Sequence, residues 1–341
     1  MGQRRLNVGL IGAGRIGKLH AEHLCRRIPR ARLAAIADAN AEAAQSCAER
    51  LGISRTEQDY HAILADAGIE AVVICSPTDL HATMIEEAAA ADKHIFCEKP
   101  IARTLPEIDQ ALESVEHAGV KLQIGFNRRF DANFARIRRA VVAGEIGQPH
   151  LLHIISRDPS PPPIEYIRSS GGMFLDMTIH DFDMARFLIG DDVEEVYAAG
   201  MVKVDFAIGE AGDIDTAVVM LKFANGVLAT IDNSRRAVYG YDQRVEALGS
   251  GGSIAVSNNH PNSAIISDAA CVRRDLPLNF FMERYAESFL LEMAAFIDAV
   301  LDDTAPMVSG ADGRAAVLLA AAAQRSREEN RPVLLREFDT E

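Results

Sequence analysis

A glycine-rich turn near the start of the chain constrains the fold most strongly. The run LNVGLIGAG predicts a β-strand, and from Gly12 onward the residues match G-x-G-x-x-G and open a helix. Gly12 permits a tight turn, Gly14 lets the backbone approach a phosphate, and Gly17 lets helix and strand pack closely. Arg15 and Ile16 fill the variable positions at the helix start, where N–H groups favour an anion. These five residues predict a dinucleotide site; a purely structural turn is the alternative.

An acidic residue ends the second predicted strand, ARLAAIAD. This residue, Asp38, lies 21 residues after Gly17, the spacing at which a carboxylate binds the ribose 2′-hydroxyl of a dinucleotide. A carboxylate repels a 2′-phosphate, and Ala39 and Asn40 offer no cation to bind one. The cofactor expected is therefore NAD rather than NADP. An Asp38 that only caps the next helix is compatible with the same pattern.

The first 125 residues alternate between short apolar strands and helices, which indicates a parallel sheet covered on both faces. Ser76, Pro77 and Thr78 follow the strand AVVICS. They lie at its carboxyl end, where doubly wound sheets bind ligands, although such a tripeptide alone indicates only a turn. We therefore predict an α/β fold in which residues 1–125 form an NAD-binding Rossmann domain with a doubly wound parallel sheet.

The pattern changes after residue 125. Longer, partly alternating strands such as PHLLHIISR and TAVVMLKFA predict a large open, mostly antiparallel sheet. The pair Asn225-Gly226 predicts a hairpin turn between two of these strands. Helices predicted at 131–143, 283–301 and 310–329 complete the pattern. We predict that residues 126–341 form a second, α+β domain.

A lysine lies near the end of the predicted strand HIFCEKP, which closes with Glu98-Lys99-Pro100. At the carboxyl end of a Rossmann strand, Lys99 would lie beside the nicotinamide, where it could hold a substrate hydroxyl and stabilise a developing oxyanion. A surface lysine before a proline turn is the alternative.

A second cluster of polar residues lies in the segment GGMFLDMTIHDFD. Asp176 and His180 are four residues apart, so that a helix would place both on one face. Such a pair can act as a general base, because the carboxylate orients and stabilises the imidazolium. The alternative is an ordinary surface pair, with Asp181 and Asp183 as solvated charges. No second His or Cys lies nearby, so we expect no metal site.

The composition excludes several classes of protein. The net charge of −14 disfavours nucleic acid and anionic lipid as partners. No apolar run approaches the roughly 18 residues of a transmembrane helix, so we expect no membrane partner. The five cysteines are scattered without a CxxC motif, which argues against a disulfide framework and suits a cytoplasmic protein.

Taken together, the motifs resemble those of the Gfo/Idh/MocA oxidoreductase family. The resemblance covers nearly the whole chain and rests on the order of its parts. The parts are VGLIGAGRIG, the loop Ser76-Pro77-Thr78 with His81, Glu98-Lys99-Pro100, and the segment with Asp176 and His180. Within that family, the stretches GFNRRFDANF, TIHDFDMARFL and AVYGYDQR are similar to those of inositol 2-dehydrogenases.

The resemblance implies the roles of particular residues. Lys99, Asp176 and His180 match the positions that act on the reacting carbon. The cofactor would be bound by the glycine turn, Asp38, the loop after AVVICS, His81 and Glu98. Besides the catalytic residues, those expected to bind the substrate are Arg128, Asp158, Tyr239 and Tyr241. The second domain would bind the substrate and pair between subunits, commonly giving a homotetramer.

The expected activity is oxidation of a ring hydroxyl of a cyclic polyol by hydride transfer to NAD⁺, most simply of myo-inositol to 2-keto-myo-inositol. The residues alone leave alternatives open. The substrate could be scyllo- or chiro-inositol, or an aldose sugar. Proteins of this fold also include nucleotide-sensing regulators without turnover and NAD-using glycosidases.

Overall fold

The computed structural model describes residues 4–338 and divides the chain into two compact units. The N-terminal unit comprises the residues up to Asn127 together with Glu287–Val317, and the C-terminal unit comprises Arg128–Ala286 and the residues from Leu318 onward. Residues 1–3 and 339–341, at the outer ends of the two predicted domains, lie outside the described residues.

The division differs from the sequence prediction in one respect. The sequence places residues 287–317 in the second domain, whereas the structure places them in the N-terminal unit. The cause is apolar packing: Met293, Phe296 and Ile297 lie in one buried cluster with Leu10 and Phe96. Burying such side chains is the main favourable contribution to folding. It therefore places these residues in the N-terminal unit, although they follow most of the C-terminal unit in the sequence.

Among the described residues, the longest strands lie in the C-terminal unit. The strands are β1 (Leu6–Ile11), β2 (Ala31–Ala37), β3 (Thr56–Glu57), β4 (Ala71–Ile74), β5 (His94–Glu98), β6 (Leu122–Gly125), β7 (Pro149–Arg157), β8 (Val193–Met201), β9 (Thr216–Phe223), β10 (Leu228–Ser234), β11 (Asp242–Gly249), β12 (Gly252–Val256), β13 (Ile265–Ser267), β14 (Val272–Arg274) and β15 (Val333–Leu334). The helices are α1 (Arg15–Arg26), α2 (Ala41–Leu51), α3 (His61–Leu64), α4 (His81–Ala90), α5 (Leu105–Ala118), α6 (Ala132–Val142), α7 (Ile164–Ser170), α8 (Ile179–Ile189), α9 (Phe206–Glu210), α10 (Phe281–Arg284), α11 (Ala286–Leu301) and α12 (Gly310–Glu329).

The N-terminal unit contains a parallel sheet in the order β3-β2-β1-β4-β5-β6. This is the strand order of a doubly wound dinucleotide fold, which confirms the Rossmann prediction. The order reverses between β1 and β4, so the carboxyl ends of these two strands flank the point where such sheets bind ligands. Strand β4 is buried throughout, as expected for a strand covered on both faces.

The C-terminal unit contains a seven-stranded sheet in the order β12-β11-β7-β10-β9-β8-β15. Its neighbours pair antiparallel except β7 and β10, which run parallel, so the sheet is open and mostly antiparallel as predicted. The hairpin at Asn225-Gly226 is also confirmed: it joins β9 to β10, and Gly226 has a φ of 87°. Residues of β9 alternate between buried and exposed, so one face of the sheet packs on the core and the other is accessible.

The segment QRVEALGSGGSIAVS, which resembles a single long strand, forms the hairpin of β11 and β12. Its turn is packed closely at Gly249, where an added Cβ would lie 2.3 Å from the carbonyl oxygen of Ile146.

Among the described helices, none is both long enough and apolar enough to cross a bilayer.

Candidate active site

The glycine turn joins β1 to α1 and is packed tightly at two of its three glycines. Gly12 has a φ of 99°, and a Cβ there would lie 2.5 Å from the carbonyl oxygen of Cys75. A Cβ on Gly17 would lie 1.9 Å from the carbonyl oxygen of Gly12. At Gly14, in contrast, an added Cβ meets no atom within 4 Å. The first and third glycines therefore serve packing, and the second leaves room for a ligand above the helix N-terminus.

Asp38 directly follows β2 and turns its carboxylate toward this turn. Its Oδ2 accepts a 2.7 Å hydrogen bond from the N–H of Ala13, and its Oδ1 accepts one of 2.8 Å from the N–H of Asn40. The cap of α2 is Asn40, whose side chain accepts from the N–H groups of Glu42 and Ala43. The alternative in which Asp38 caps that helix is therefore wrong, and its carboxylate is fixed beside the glycine turn.

The predicted cofactor loop after β4 is held by a buried histidine. The ring of His81 bridges two backbone carbonyls: its Nε2 lies 2.9 Å from the oxygen of Ser76, and its Nδ1 lies 2.7 Å from that of Pro100. His81 thereby ties this loop to the one that follows Lys99. Pro77 is exposed and Thr78 is half-buried. Both residues therefore have accessible surface next to β1, the strand that leads into the glycine turn. A direct contact of His81 with the cofactor stays a prediction.

These residues of the N-terminal unit fit a dinucleotide. The open space at Gly14 suits a pyrophosphate at the start of α1, and the Asp38 carboxylate at the end of the adjacent strand suits an unphosphorylated ribose. Lys99 follows β5 directly and is half-buried. Lys99 therefore lies at the same carboxyl edge of the sheet, as the sequence predicts.

In the C-terminal unit, the predicted acid–base pair lies where a π-helical turn, Phe174–Thr178, runs into α8. Asp176 lies within the turn and His180 within the helix, so the segment is not the regular helix that the sequence predicts. π-Helical turns are frequent at functional sites because they re-aim side chains.

The carboxylate of Asp176 is held from both sides. Tyr166 donates a 2.7 Å hydrogen bond to its Oδ1, and Nη1 of Arg235 donates one of 3.0 Å to its Oδ2. Asp176 and burial together raise the pKa of Tyr166, so this phenol remains a donor. Arg235 is only 2% exposed and also faces Asp158 and Asp213, at 4.0 and 3.7 Å. The sequence analysis missed Arg235 and Tyr166.

The two acids after His180 are buried. Asp181 accepts 2.6 Å and 2.8 Å hydrogen bonds from Arg128 and Asn233, and Asp183 forms a bidentate pair with Arg129. Burial raises the pKa of Asp181 although Arg128 opposes this shift. The interpretation of Asp181 and Asp183 as solvated charges is therefore wrong. Ionised carboxylates at such depth require paired cations, and the arginines supply them.

The four other predicted substrate residues occupy different surroundings. Arg128 and Tyr241 are buried and lie 3.3 Å apart, between guanidinium Nη2 and the phenol oxygen. Tyr239 is 36% exposed, and its hydroxyl donates to Asp242. Asp158 follows β7 and is half-buried; burial raises its pKa from 3.8 to about 6, while Arg235 opposes the shift. Asp158 and Tyr239 therefore offer polar atoms at the surface of this unit, whereas Arg128 and Tyr241 lie in its interior.

Comparison with protein-family models identifies the fold and its chemistry. Residues 6–126 match an oxidoreductase family with an NAD-binding Rossmann fold, and residues 134–255 match the Gfo/Idh/MocA C-terminal domain. The chain belongs to the Gfo/Idh/MocA oxidoreductase family. The predicted family, NAD cofactor and oxidoreductase class are thereby confirmed.

Relatives within the Gfo/Idh/MocA family match nearly the full length of the chain. Myo-inositol 2-dehydrogenase from Thermotoga maritima is 49% identical over 332 residues, which cover 97% of this chain and 99% of that protein. Inositol 2-dehydrogenase from Rhizobium meliloti is 48% identical over 325 residues, which cover 95% and 98%. The crystal structure of scyllo-inositol dehydrogenase from Lactobacillus casei, with bound NAD(H) and scyllo-inositol, has a TM-score of 0.91 at 30% identity and covers 97% of this chain and 99% of that one.

Two glycine substitutions should separate packing from cofactor binding. Gly14→Ala adds a methyl group in open space, so we expect unchanged stability and a Kd for NAD raised about tenfold, or about 1.4 kcal/mol. Gly12→Ala meets the Cys75 carbonyl at a positive φ and should destabilise the fold by about 2 kcal/mol. Thermal unfolding and calorimetric NAD titration measure both effects. Equal loss of stability in the two variants would contradict this division.

The shifted pKa of Asp158 should appear in the pH dependence of stability. Because its pKa is higher in the folded state than in the unfolded one, folding retains a proton that the unfolded chain loses, and stability falls as the pH rises from about 4 to about 6. The Asp158→Asn variant has no carboxyl that retains this proton, so its Tm should rise relative to wild type between about pH 4 and pH 6. Asp275→Asn, at an exposed position of the same unit, is the control. Parallel Tm curves for wild type and Asp158→Asn would refute the shift.

Proposed function

We propose that the protein oxidises a ring hydroxyl of myo-inositol to give 2-keto-myo-inositol, with NAD⁺ as the hydride acceptor. The observation that carries this proposal is the 49% identity over nearly the full length to a protein named Myo-inositol 2-dehydrogenase. The chain supports it with a lysine at the carboxyl edge of its Rossmann sheet and a structured Asp176–His180 segment in its second unit. Bound NAD⁺ supplies the redox chemistry, and the protein supplies orientation and proton transfer.

In this proposal, His180 is the general base. It takes the proton of the hydroxyl that is being oxidised, because a neutral imidazole suits proton abstraction near neutral pH. Asp176 steadies the imidazolium that results. Arg235 and Tyr166 fix the Asp176 carboxylate through hydrogen bonds of 3.0 and 2.7 Å, so that its orientation is set before the substrate binds.

Lys99 provides a positive charge to the same substrate oxygen. An ammonium group stabilises alkoxide character as the proton leaves. Asp158 and Tyr239, each partly exposed in the C-terminal unit, would bind hydroxyls elsewhere on the ring. Arg128 and Tyr241 would position that surface from the buried side.

The identity of the substrate is tested by NADH formation with purified protein and a panel of inositols and aldoses, repeated with NADP⁺. We expect the fastest turnover with myo-inositol and NAD⁺. Faster turnover with scyllo- or chiro-inositol, or with an aldose, would keep the reaction and replace the substrate. Tight NAD binding without NADH from any compound would instead favour a nucleotide-sensing regulator or a glycosidase with transient oxidation.

Removing the proposed base or the proposed cation should abolish most of the activity. We expect His180→Ala and Lys99→Ala each to lower kcat by about 10²- to 10⁴-fold, the usual contribution of a positioned acid or base. His117→Ala and Lys203→Ala, at exposed positions, are the matched controls. Initial-rate kinetics measure the loss, and circular dichroism checks the fold. Folded variants with near-normal kcat would remove His180 or Lys99 from the mechanism.

We also propose that the protein is a cytoplasmic homotetramer. All five cysteines are free, which suits a reducing compartment. The open face of the seven-stranded sheet carries exposed apolar side chains in adjacent strands, where Leu228 pairs with Leu151 and Leu151 with Leu248. These three leucines are 39–48% exposed, and Val218 of β9 is 55% exposed. Exposed apolar side chains on one face of a sheet favour a protein interface, and a second copy of the same sheet would cover them.

Charges placed on this face should disrupt the assembly. We expect Leu228→Glu combined with Val218→Asp to lower the molar mass from that of a tetramer, because the interface would strip the new carboxylates of their hydration. Val142→Asp, at a position on α6 that is 68% exposed, is the control. Light scattering after size-exclusion chromatography measures the mass. An unchanged mass for the double variant would refute the interface.

A further inference from the structure

Three ionisable side chains meet inside the N-terminal unit, next to the strand end that carries Lys99. They are His20 of α1, Glu98 at the end of β5 and Glu292 of α11, and their ligand atoms all lie within 4.8 Å of one another. The Nε2 of His20 lies 2.9 Å from Oε1 of Glu98 and 4.0 Å from Oε1 of Glu292. His20 and Glu292 are completely buried, and the Glu98 side chain is 15% exposed. We refer to these three residues as the buried acid–imidazole cluster.

The cluster has polar atoms without partners. Both carboxylate oxygens of Glu292 and the Nδ1 of His20 lack a hydrogen-bond partner. The surroundings of His20 are aromatic, with the rings of Phe96 and Phe289 at 5.2 and 6.0 Å. An ionised carboxylate in such a place costs several kcal/mol unless it is paired. A neutral acid avoids most of this cost.

The groups that face the cluster from the neighbouring elements offer little compensation. They are His23 on α1, Cys75 after β4, Cys97 on β5 and Gln123 on β6. Burial lowers the pKa of His23 to about 4, and burial raises the pKa values of both thiols, so all three remain neutral at physiological pH. Gln123 donates to the backbone oxygen of Glu292 and not to its carboxylate. Burial and the charge of Glu98 both raise the pKa of Glu292.

The cluster also fixes the end of β5. A Cβ on Gly125 of the adjacent strand β6 would lie 3.0 Å from Oε2 of Glu98, so the glycine leaves the space that the carboxylate fills. His20 holds the other carboxylate oxygen of Glu98. Glu98 is thus clamped between α1, β6 and α11, and the next residue in the chain is Lys99.

We propose that the buried acid–imidazole cluster retains a proton on Glu292 and thereby positions Glu98 and the strand end that carries Lys99. In this arrangement Glu98 accepts from His20, and the neutral Glu292 adds no negative charge of its own beside it. His20, Glu98 and Glu292 are positioning residues, since they act through Lys99. The inference rests on the proposed function only for the role of Lys99. The retained proton on Glu292 does not depend on that function.

The proton can be observed directly in the NAD-bound protein. A protonated carboxyl group in an apolar site gives a separate carbonyl stretching band in the infrared spectrum. We expect Glu292→Gln to remove one such band, and Glu287→Gln, at an exposed position on the same helix, to leave it unchanged. The absence of any band that depends on Glu292 would overturn the proposal. So would a stoichiometric divalent metal ion in the purified protein, because a cation would take the place of the proton.

The pH dependence of stability gives a second test. Folding raises the pKa of the Glu292 carboxyl above 4.5, the ordinary value of a glutamate. The folded protein therefore loses stability as the pH rises above that ordinary pKa. The Tm of Glu292→Gln should therefore increase relative to wild type as the pH rises above about 5. A difference that stays constant with pH would contradict a retained proton.

Kinetics test the positioning role. Glu292→Leu should fold, because an apolar residue of similar size often replaces a buried ionisable group without loss of stability. We expect its kcat to be about tenfold or more below that of Glu292→Gln, with the KM for NAD⁺ unchanged, because a misplaced lysine affects the chemical step. Equal kcat values would overturn the positioning role. If wild type oxidises no polyol, the proposed function fails, and the infrared and stability tests still decide on the proton.

Discussion

The close approach of α1 to the carboxyl ends of β1 and β4 is the constraint on which the N-terminal unit depends. At Gly12 and Gly17 the backbone leaves no room for a side chain, whereas at Gly14 it leaves open space. The same contact fixes the start of α1, whose N–H groups are the proposed binding site of the cofactor phosphates. One turn further along, it brings His20 to Glu98. Cofactor binding and the position of the proposed catalytic lysine would therefore depend on the same helix–sheet packing.

The C-terminal unit depends on buried ion pairs instead. Arg128 and Arg129 neutralise Asp181 and Asp183 on the helix that contains His180, and Arg235 faces three carboxylates at once. Such pairs add little net stability compared with apolar packing, because both partners lose their hydration. Their value is geometric: the side chains that surround Asp176 have few alternative positions. The π-helical turn supports the same conclusion, since it sets the direction of Asp176 at some cost in regular hydrogen bonding.

Local patterns were sufficient to predict the parts of the protein that a short stretch of sequence determines. The glycine turn, Asp38 and the lysine after β5 each follow a strand, and their roles depend on that context alone. Features that require distant segments were not predicted. Arg235 lies 59 residues from Asp176, and no motif links them. The return of residues 287–317 to the first unit also has no local signal. Glu292, in contrast, has a local signal: it is the only acid within the apolar run FLLEMAAFI. A single acid in such a run indicates a buried carboxyl group.

The central claim is that a hydride passes from a ring carbon of the polyol to the nicotinamide, with the protein positioning both. Its most direct test uses myo-inositol that carries deuterium on carbon 2, mass analysis of the NADH that forms, and the ratio of kcat/KM values for the light and heavy substrates. The account predicts one deuterium in each NADH molecule and a slower reaction with the heavy substrate. NADH that contains no deuterium would show that the hydride comes from another carbon and would contradict the assignment of the reaction.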